Sequence, residues 1–316
     1  MTGHHADVSA ELVTYRDLAQ DIGRARIHTG LRHGSLVRPS RGIYAGADLD
    51  DDDRVRALFM RLPAGSVLGF QSAAARHGFG VLGSDRIHVI VPTTAAKPRI
   101  RGVVAHHAVL TVTDPVLVAG IACAPPARSV VDLARTVRRT DALPVIDAAL
   151  RAGACDRDDL LVEAERHRGL RGIRRARHLI PFGDPRAECR QESQLRHVLI
   201  HARLPVPEPQ VWVDDEFGDP RYRLDLGYRC RKLGLEYDGG SHAGREQLRA
   251  DRTRMNWLAA QGWVMRYFTD RDLYGSHAGI VATVRNVLAA RPCLAAGSHP
   301  ATRSCTCAPD KSTHNV

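Results

Sequence analysis

Between residues 223 and 238 apolar and polar positions alternate with a period of two, broken only around Arg229-Cys230-Arg231. RLDLGY puts Leu224, Leu226 and Tyr228 on one face and Arg223, Asp225 and Gly227 on the other. KLGLEYD does the same with Leu233, Leu235 and Tyr237 against Lys232, Gly234, Glu236 and Asp238. Such alternation predicts two half-buried strands, and so short a break predicts a hairpin. With residues 230 and 231 at the tip, Asp225 stands opposite Glu236 at about 5 Å, with Asp238 on the same face. A different loop length shifts that register by a residue or two.

The flanking pattern extends the picture. A helix is predicted over 187–203, with Leu195, Val198 and Leu199 apolar, closed by the Pro-rich LPVPEPQ. VWVDDE reads as a strand, GREQLRADRTRMNWLAAQG as a helix burying Leu248, Met255, Leu258 and Ala259, and WVMRYF as a returning strand. The last third is therefore helix, three strands, helix, strand: an α/β sandwich. At the other end, Thr14 and Asp17 open a short helix, TYRDLAQDI, and ARIHTGLRHG follows with Ile27 and Leu31 on one face. SLVRPSRGIYAG then reads as a hairpin. This is the order of a winged helix, in which one helix enters the major groove and the wing reaches the backbone. Arg24, Arg26 and Arg32 lie around the second helix, and Arg38 and Arg41 would be the wing's phosphate contacts. A small helical domain with solvated arginines explains the same pattern.

The middle alternates strand-like and helix-like runs and predicts a mixed α/β region. His106 and His107 fall in one strand and point to opposite faces, so they read as structural. Asp132, inside an apolar helix, reads as a packing polar group. RHRGLRGIRRAR (166–177) holds six arginines and no acid. Arg171, Arg174 and Arg175 make it a candidate phosphate surface, with a solvated helix face as the alternative. Four regions result: a winged helix over 1–50, a mixed α/β segment over 51–183, an α/β domain over 184–290 and a tail over 291–316 whose composition reads as disordered.

Composition changes this picture little. The chain has 316 residues and 44% hydrophobic content, enough for two or three globular domains. No apolar run is long enough to span a membrane and no secretory signal opens the chain, so a cytoplasmic address is expected. The seven cysteines are scattered and form neither a disulfide framework nor a paired zinc pattern. The net charge is +10, with 26 Lys+Arg against 20 Asp+Glu in residues 1–184 and 16 against 14 in 185–285. A polyanionic partner suits that balance.

Like charges opposed on a sheet are destabilising. A bound divalent cation or protonation of one acid relieves them, and hard oxygen ligands at this spacing suit Mg²⁺ or Mn²⁺. A metal there would activate water and steady a phosphate's charge, with His242 placed to contact substrate or move a proton. An exposed strand face with unrelated acids is the plainer alternative.

These residues carry a resemblance. ESQLR (192–196), the LPVP loop, RLDL (223–226), LEYDGGSH (235–242), DRTRMNWL (251–258) and GWVMR (262–266) occur in order over about residues 186–275. That string resembles the very-short-patch-repair-like branch of the PD-(D/E)XK nuclease superfamily. The resemblance implies an α/β nuclease domain over 184–290, a Mg²⁺ or Mn²⁺ cofactor, Asp225 and Glu236 as metal ligands, Glu192 as the helix carboxylate, and His242 as catalytic or substrate-contacting. Asp238 stands where the superfamily motif has lysine, a departure this branch shares. SAAARHGF, IHVIVP and SVVDLAR, with the first 45 or so residues, are similar to the N-terminal region of abortive-infection type IV antitoxins (AbiEi), whose winged helix binds DNA. Two functions are expected from these resemblances: a DNA-directed, metal-dependent endonuclease or, alternatively, a non-catalytic repressor or antitoxin of a toxin–antitoxin or phage-defence system. DNA is the expected partner and no membrane is, while a homodimer and a toxin or repair partner stay open.

Overall fold

The computed structural model describes residues 11–107, 112–239, 245–291 and 293. They build a mixed α/β protein with three sheets. The chain divides into two compact units: residues 1–77 with 83–125, and residues 78–82 with 126–316.

The first unit opens with β1 (Val13–Thr14), α1 (Tyr15–Asp21), α2 (Arg24–His33), β2 (Leu36–Ser40) and β3 (Ile43–Gly46). Thr14 caps α1 by accepting the Asp17 backbone N–H, as the sequence predicts. The strands form an antiparallel sheet in the order β1-β3-β2. Ile27 and Gly30 are the buried positions of α2. A Cβ at Gly30 would stand 2.8 Å from Leu36 Cδ1, so the glycine lets the helix lie close on β2.

α3 (Asp51–Phe59) follows, its N-cap Asp50 accepting from the Asp53 N–H at 2.6 Å. β4 (Val67–Leu68), α4 (Phe70–Arg76), β5 (Ile87–Val91), β6 (Val103–His107), β7 (Val116–Val118) and β8 (Ile121–Cys123) complete the unit. They form a mixed five-stranded sheet ordered β6-β5-β4-β8-β7. Its core holds Leu58, Leu68, Ala73, Val89, Val91 and Ile121. His106 stacks on Phe70 at 3.9 Å and lies 3.0 Å from His88, while His107 pairs with the Ala95 carbonyl. Both histidines are thus structural.

The second unit begins with helices α5 (Pro126–Thr136), α6 (Ala142–Arg151), α7 (Arg157–Arg166) and α8 (Ile173–Leu179). Asp132 is buried and held by Arg128 and Arg135, the packing role its place in the helix implies. α9 (Arg190–His201) leads to β9 (Glu208–Asp214), β10 (Pro220–Tyr228), β11 (Leu233–Asp238), α10 (Arg245–Ala260), β12 (Val264–Thr269), α11 (Asp270–Gly275) and α12 (His277–Ala290). The helix, three strands, helix, strand order read from the sequence is the order observed. The sheet runs β12-β11-β10-β9, parallel between β11 and β12 and antiparallel elsewhere. Leu195, Val198 and Leu199 of α9 and Ile280 and Val284 of α12 pack on Leu226, Tyr228, Leu233 and Leu235. Leu258 of α10 packs with Val211, Val213, Leu224 and Trp263 instead. The sheet is therefore covered by helices on both faces.

Two details correct the alternation read from the sequence. Leu224 does not share a face with Leu226: a Cβ on Gly234 would touch Leu224 Cδ1 at 2.8 Å, whereas Leu226 packs with Leu235. The side-chain pattern switches faces at Asp225, which a strict period of two cannot express. Met255 and Ala259 are exposed rather than buried, the Leu248 side chain falls outside the described residues, and Leu258 with half-buried Trp257 makes the contact of α10.

Candidate functional site

The acidic cluster is built from three elements. β10 and β11 pair Leu226 with Leu235, Gly227 with Gly234 and Tyr228 with Leu233. The next pair in that register is Asp225 and Glu236, as a tip at residues 230 and 231 predicts. The strands part at this point, and the Asp225 carboxylate takes the Tyr237 backbone N–H at 3.0 Å. A side chain thus supplies the acceptor a neighbouring strand normally gives. Glu192, buried in the first turn of α9, is the third member; it accepts from Gln210 Nε2 at 2.9 Å and from the Glu188 N–H at 3.0 Å.

Asp225 raises the proton affinity of both other acids. Burial pushes Glu192 up, and the charge of Asp225 adds to it. Burial raises Asp225 as well. Glu236 is pushed up to about 7, by burial first and then by Asp225 and Asp251, against the pull of Arg254. Asp238 lies exposed at the end of β11, opposite Thr269. His242 falls outside the described residues.

Arg254, on α10, is the member that sequence reasoning missed. Both of its terminal nitrogens reach Glu236, and one also donates to the Arg223 carbonyl at 2.6 Å. Arg223 in turn forks onto Glu188 at 2.7 and 2.9 Å. Besides a cation or a proton, then, a third remedy for opposed acids is present: an internal arginine. Among the described residues no group of three or more His, Cys, Asp or Glu side chains is arranged to hold a metal ion. In this arrangement Arg254 forks Glu236 and Asp225 holds the Tyr237 N–H, so both acids already have partners within the protein. Lys232 is not in the cluster; its Nζ caps the Gln261 carbonyl at 2.8 Å.

The basic candidates fall into two groups. Arg24, Arg26, Arg32, Arg38 and Arg41 are all exposed on α2 and the β2–β3 hairpin, and the Arg38 guanidinium lies 6.0 Å from the centre of the Tyr44 ring. Arg171, Arg174 and Arg175 sit elsewhere, around a cavity of about 870 Å³ between α5, α8 and α9. α5 and the turn after it contribute Arg135 and Arg139, α8 adds His178 and Leu179, and α9 adds His197, Ile200 and His201. Gly172 sets how closely the start of α8 meets the end of α5: φ is +82°, and a Cβ there would stand 2.0 Å from the Arg135 carbonyl oxygen. Arg175 donates to the carbonyls of Ala134 and Val137 at 2.8 and 2.9 Å, closing the end of α5. Burial and then Arg139 weaken its hold on its proton. The sequence showed only the 166–177 arginines of this cavity. The pair His197 and His201, one helical turn apart, was the signal for the rest.

Fold and clusters together define a two-unit mixed α/β protein with a basic N-terminal helix pair and hairpin and, in its second unit, an arginine-held acidic cluster and a cationic cavity. Residues 64–182 match the family model of the AbiEi antitoxin C-terminal domain. Over 243 residues the chain is 34% identical to two Mycobacterium tuberculosis proteins, "Uncharacterized protein MT2308" of strain CDC 1551 / Oshkosh and "Uncharacterized protein Rv2248" of strain ATCC 25618 / H37Rv, a match covering 77% of this chain and 88% of each of theirs. The chain belongs to the family of these mycobacterial proteins. A solved structure, that of the RV2827C protein from Mycobacterium tuberculosis, is 21% identical with a TM-score of 0.42, covering 59% of this chain and 76% of that one. Among the described residues no helix is long and apolar enough to cross a membrane.

Proposed function

We propose that the protein is a DNA-binding regulator of the antitoxin kind, acting beside a toxin partner. The observation that carries this reading is the match of residues 64–182 to the AbiEi antitoxin C-terminal domain. The N-terminal elements support it. The order β1-α1-α2-β2-β3, with sheet order β1-β3-β2, suits a winged helix, and five exposed arginines line its second helix and hairpin. In this reading α2 enters the major groove, and Arg38 and Arg41 contact phosphates beside it.

Fluorescence anisotropy of the full chain on duplex DNA from its own promoter, without divalent metal, tests the proposal. The expected result is saturable binding whose salt dependence weakens by about 0.9 per phosphate contact removed in Arg38→Gln and Arg41→Gln. Glu236→Gln should leave it unchanged. Binding indifferent to both arginine substitutions overturns the reading.

A second reading, metal-dependent hydrolysis of a phosphodiester by the C-terminal domain, is favoured by the convergence of Glu192, Asp225 and Glu236. It requires Arg254 to release Glu236. Plasmid incubated with protein and Mg²⁺ decides it: no cleavage by wild type, or equal cleavage by Asp225→Ala, discards it.

A further inference from the structure

Neither reading uses the cavity between α5, α8 and α9. We infer that this cavity binds a small organic polyphosphate of nucleotide size. Its shape is the first reason. A concavity of about 870 Å³ falls within the range of small-molecule sites, roughly 300–1,000 Å³. A duplex backbone is met instead by an extended or protruding surface.

Charge is the second reason. The lining contains arginines and histidines and, among the described residues, no acid. Arg135 is already matched by buried Asp132, and Arg175 is spent on backbone carbonyls. Arg139, Arg171 and Arg174 are exposed at the rim with no carboxylate partner among the described residues. Three guanidiniums call for a ligand with two or more negative charges, and their planar forks suit phosphate oxygens.

The third reason lies on the floor. His197 is 6% exposed, lines the cavity, and its Nδ1 has no hydrogen-bond partner among the described residues. A buried polar atom left unsatisfied in a native fold calls for an explanation; Nδ1 is sealed from solvent, so a bound ligand's polar group supplies one with a turn of the imidazole ring toward the cavity. Leu179, Ile200 and Val137 line the same space and give an apolar surface for the part of the ligand that carries no phosphate. Inorganic phosphate alone would leave that surface uncovered.

Calorimetric titration of the full chain with inorganic triphosphate and with adenosine triphosphate, at ionic strength matched by chloride, tests the inference. Adenosine triphosphate should bind one-to-one and more tightly than inorganic triphosphate. Arg171→Gln/Arg174→Gln should weaken it by at least about tenfold. Both positions are exposed, so the variant should fold. Arg38→Gln/Arg41→Gln should leave triphosphate binding intact, which separates this inference from the DNA reading. No saturable heat, or affinity unchanged in Arg171→Gln/Arg174→Gln, overturns it. Equal affinity for the two probes overturns the organic part. If that double variant loses duplex affinity while neither triphosphate binds wild type, the surface belongs to DNA and the inference falls.

Discussion

The acidic cluster and the cationic cavity lean on the same helix and solve the same problem in opposite ways. α9 gives Glu192 to one and His197, Ile200 and His201 to the other. Each gathers like charges in a partly desolvated place. The acids find their counter-charge inside the protein, in Arg254 and the Tyr237 N–H. The cavity's rim finds none among the described residues. A like-charged set neutralised from within is occupied by its own scaffold, whereas one left unneutralised keeps its capacity for a ligand. Charge density by itself therefore does not mark a site; what decides is whether the fold has already answered it.

The comparison breaks most completely at the residue that anchors α9. Arg196 is 2% exposed and donates to both oxygens of buried Asp147, on α6, at 2.7 Å. Removing one partner of such a pair leaves an uncompensated buried charge, which costs about 3–5 kcal/mol. Arg196→Met should lower unfolding free energy by about that much in urea denaturation. Asp147→Leu added to it should recover most of the loss. If the single variant loses under about 1 kcal/mol, α9 is held by its apolar face alone, and the two clusters do not share an anchor.

Glu236 sharpens the comparison through pH. Its folded pKa, near 7, lies above its ordinary value of 4.5, so the folded state keeps this proton to higher pH than the unfolded chain does. Protonation there stabilises the fold fully below about pH 4.5, and that contribution is lost as pH rises through about 7. A shift of this size corresponds to roughly 3 kcal/mol as an upper figure, at about 1.4 kcal/mol per pKa unit. Glu236→Gln should therefore gain stability relative to wild type between pH 4.5 and pH 8, measured by denaturant midpoints at both ends. An unchanged difference would mean that Arg254 already neutralises the acid in full.

Much of the acidic cluster was legible in the sequence. Two alternating runs joined by so short a link admit few registers, and the tip at residues 230 and 231 put Asp225 against Glu236. What alternation hid was the face switch at Asp225, because a period of two has no symbol for a departure from the ladder. Arg254 was hidden for another reason. It reads as one more solvated arginine on an amphipathic helix, and only packing brings α10 over Glu236. The cavity was legible in part. RHRGLRGIRRAR stood out, but Arg139 and His197 reach it from segments distant in sequence. The N-terminal helix pair and hairpin were plain because their caps and turns are local, although Leu31, read as an apolar position of the second helix, is exposed.

The smallest test concerns the floor of the cavity and carries an unusual sign. Burial, and then the nearby His201, Arg175, His277 and His178, push His197 down to about 4, so it is neutral at pH 7. A neutral imidazole with an unpaired buried nitrogen pays desolvation without a hydrogen bond in return, a cost of about 1–3 kcal/mol. Leucine removes the polar atom but also the ring's stacking on His201, whose centre lies 6.0 Å away. His197→Leu should therefore stabilise the ligand-free protein by about 1 kcal/mol, at the low end of that range. The same change should weaken triphosphate binding, since the lining then loses one polar partner for the ligand. Loss of stability in the empty protein would show that Nδ1 is already satisfied, and the cavity would then resemble the acidic cluster: a set of like charges that the fold has answered for itself.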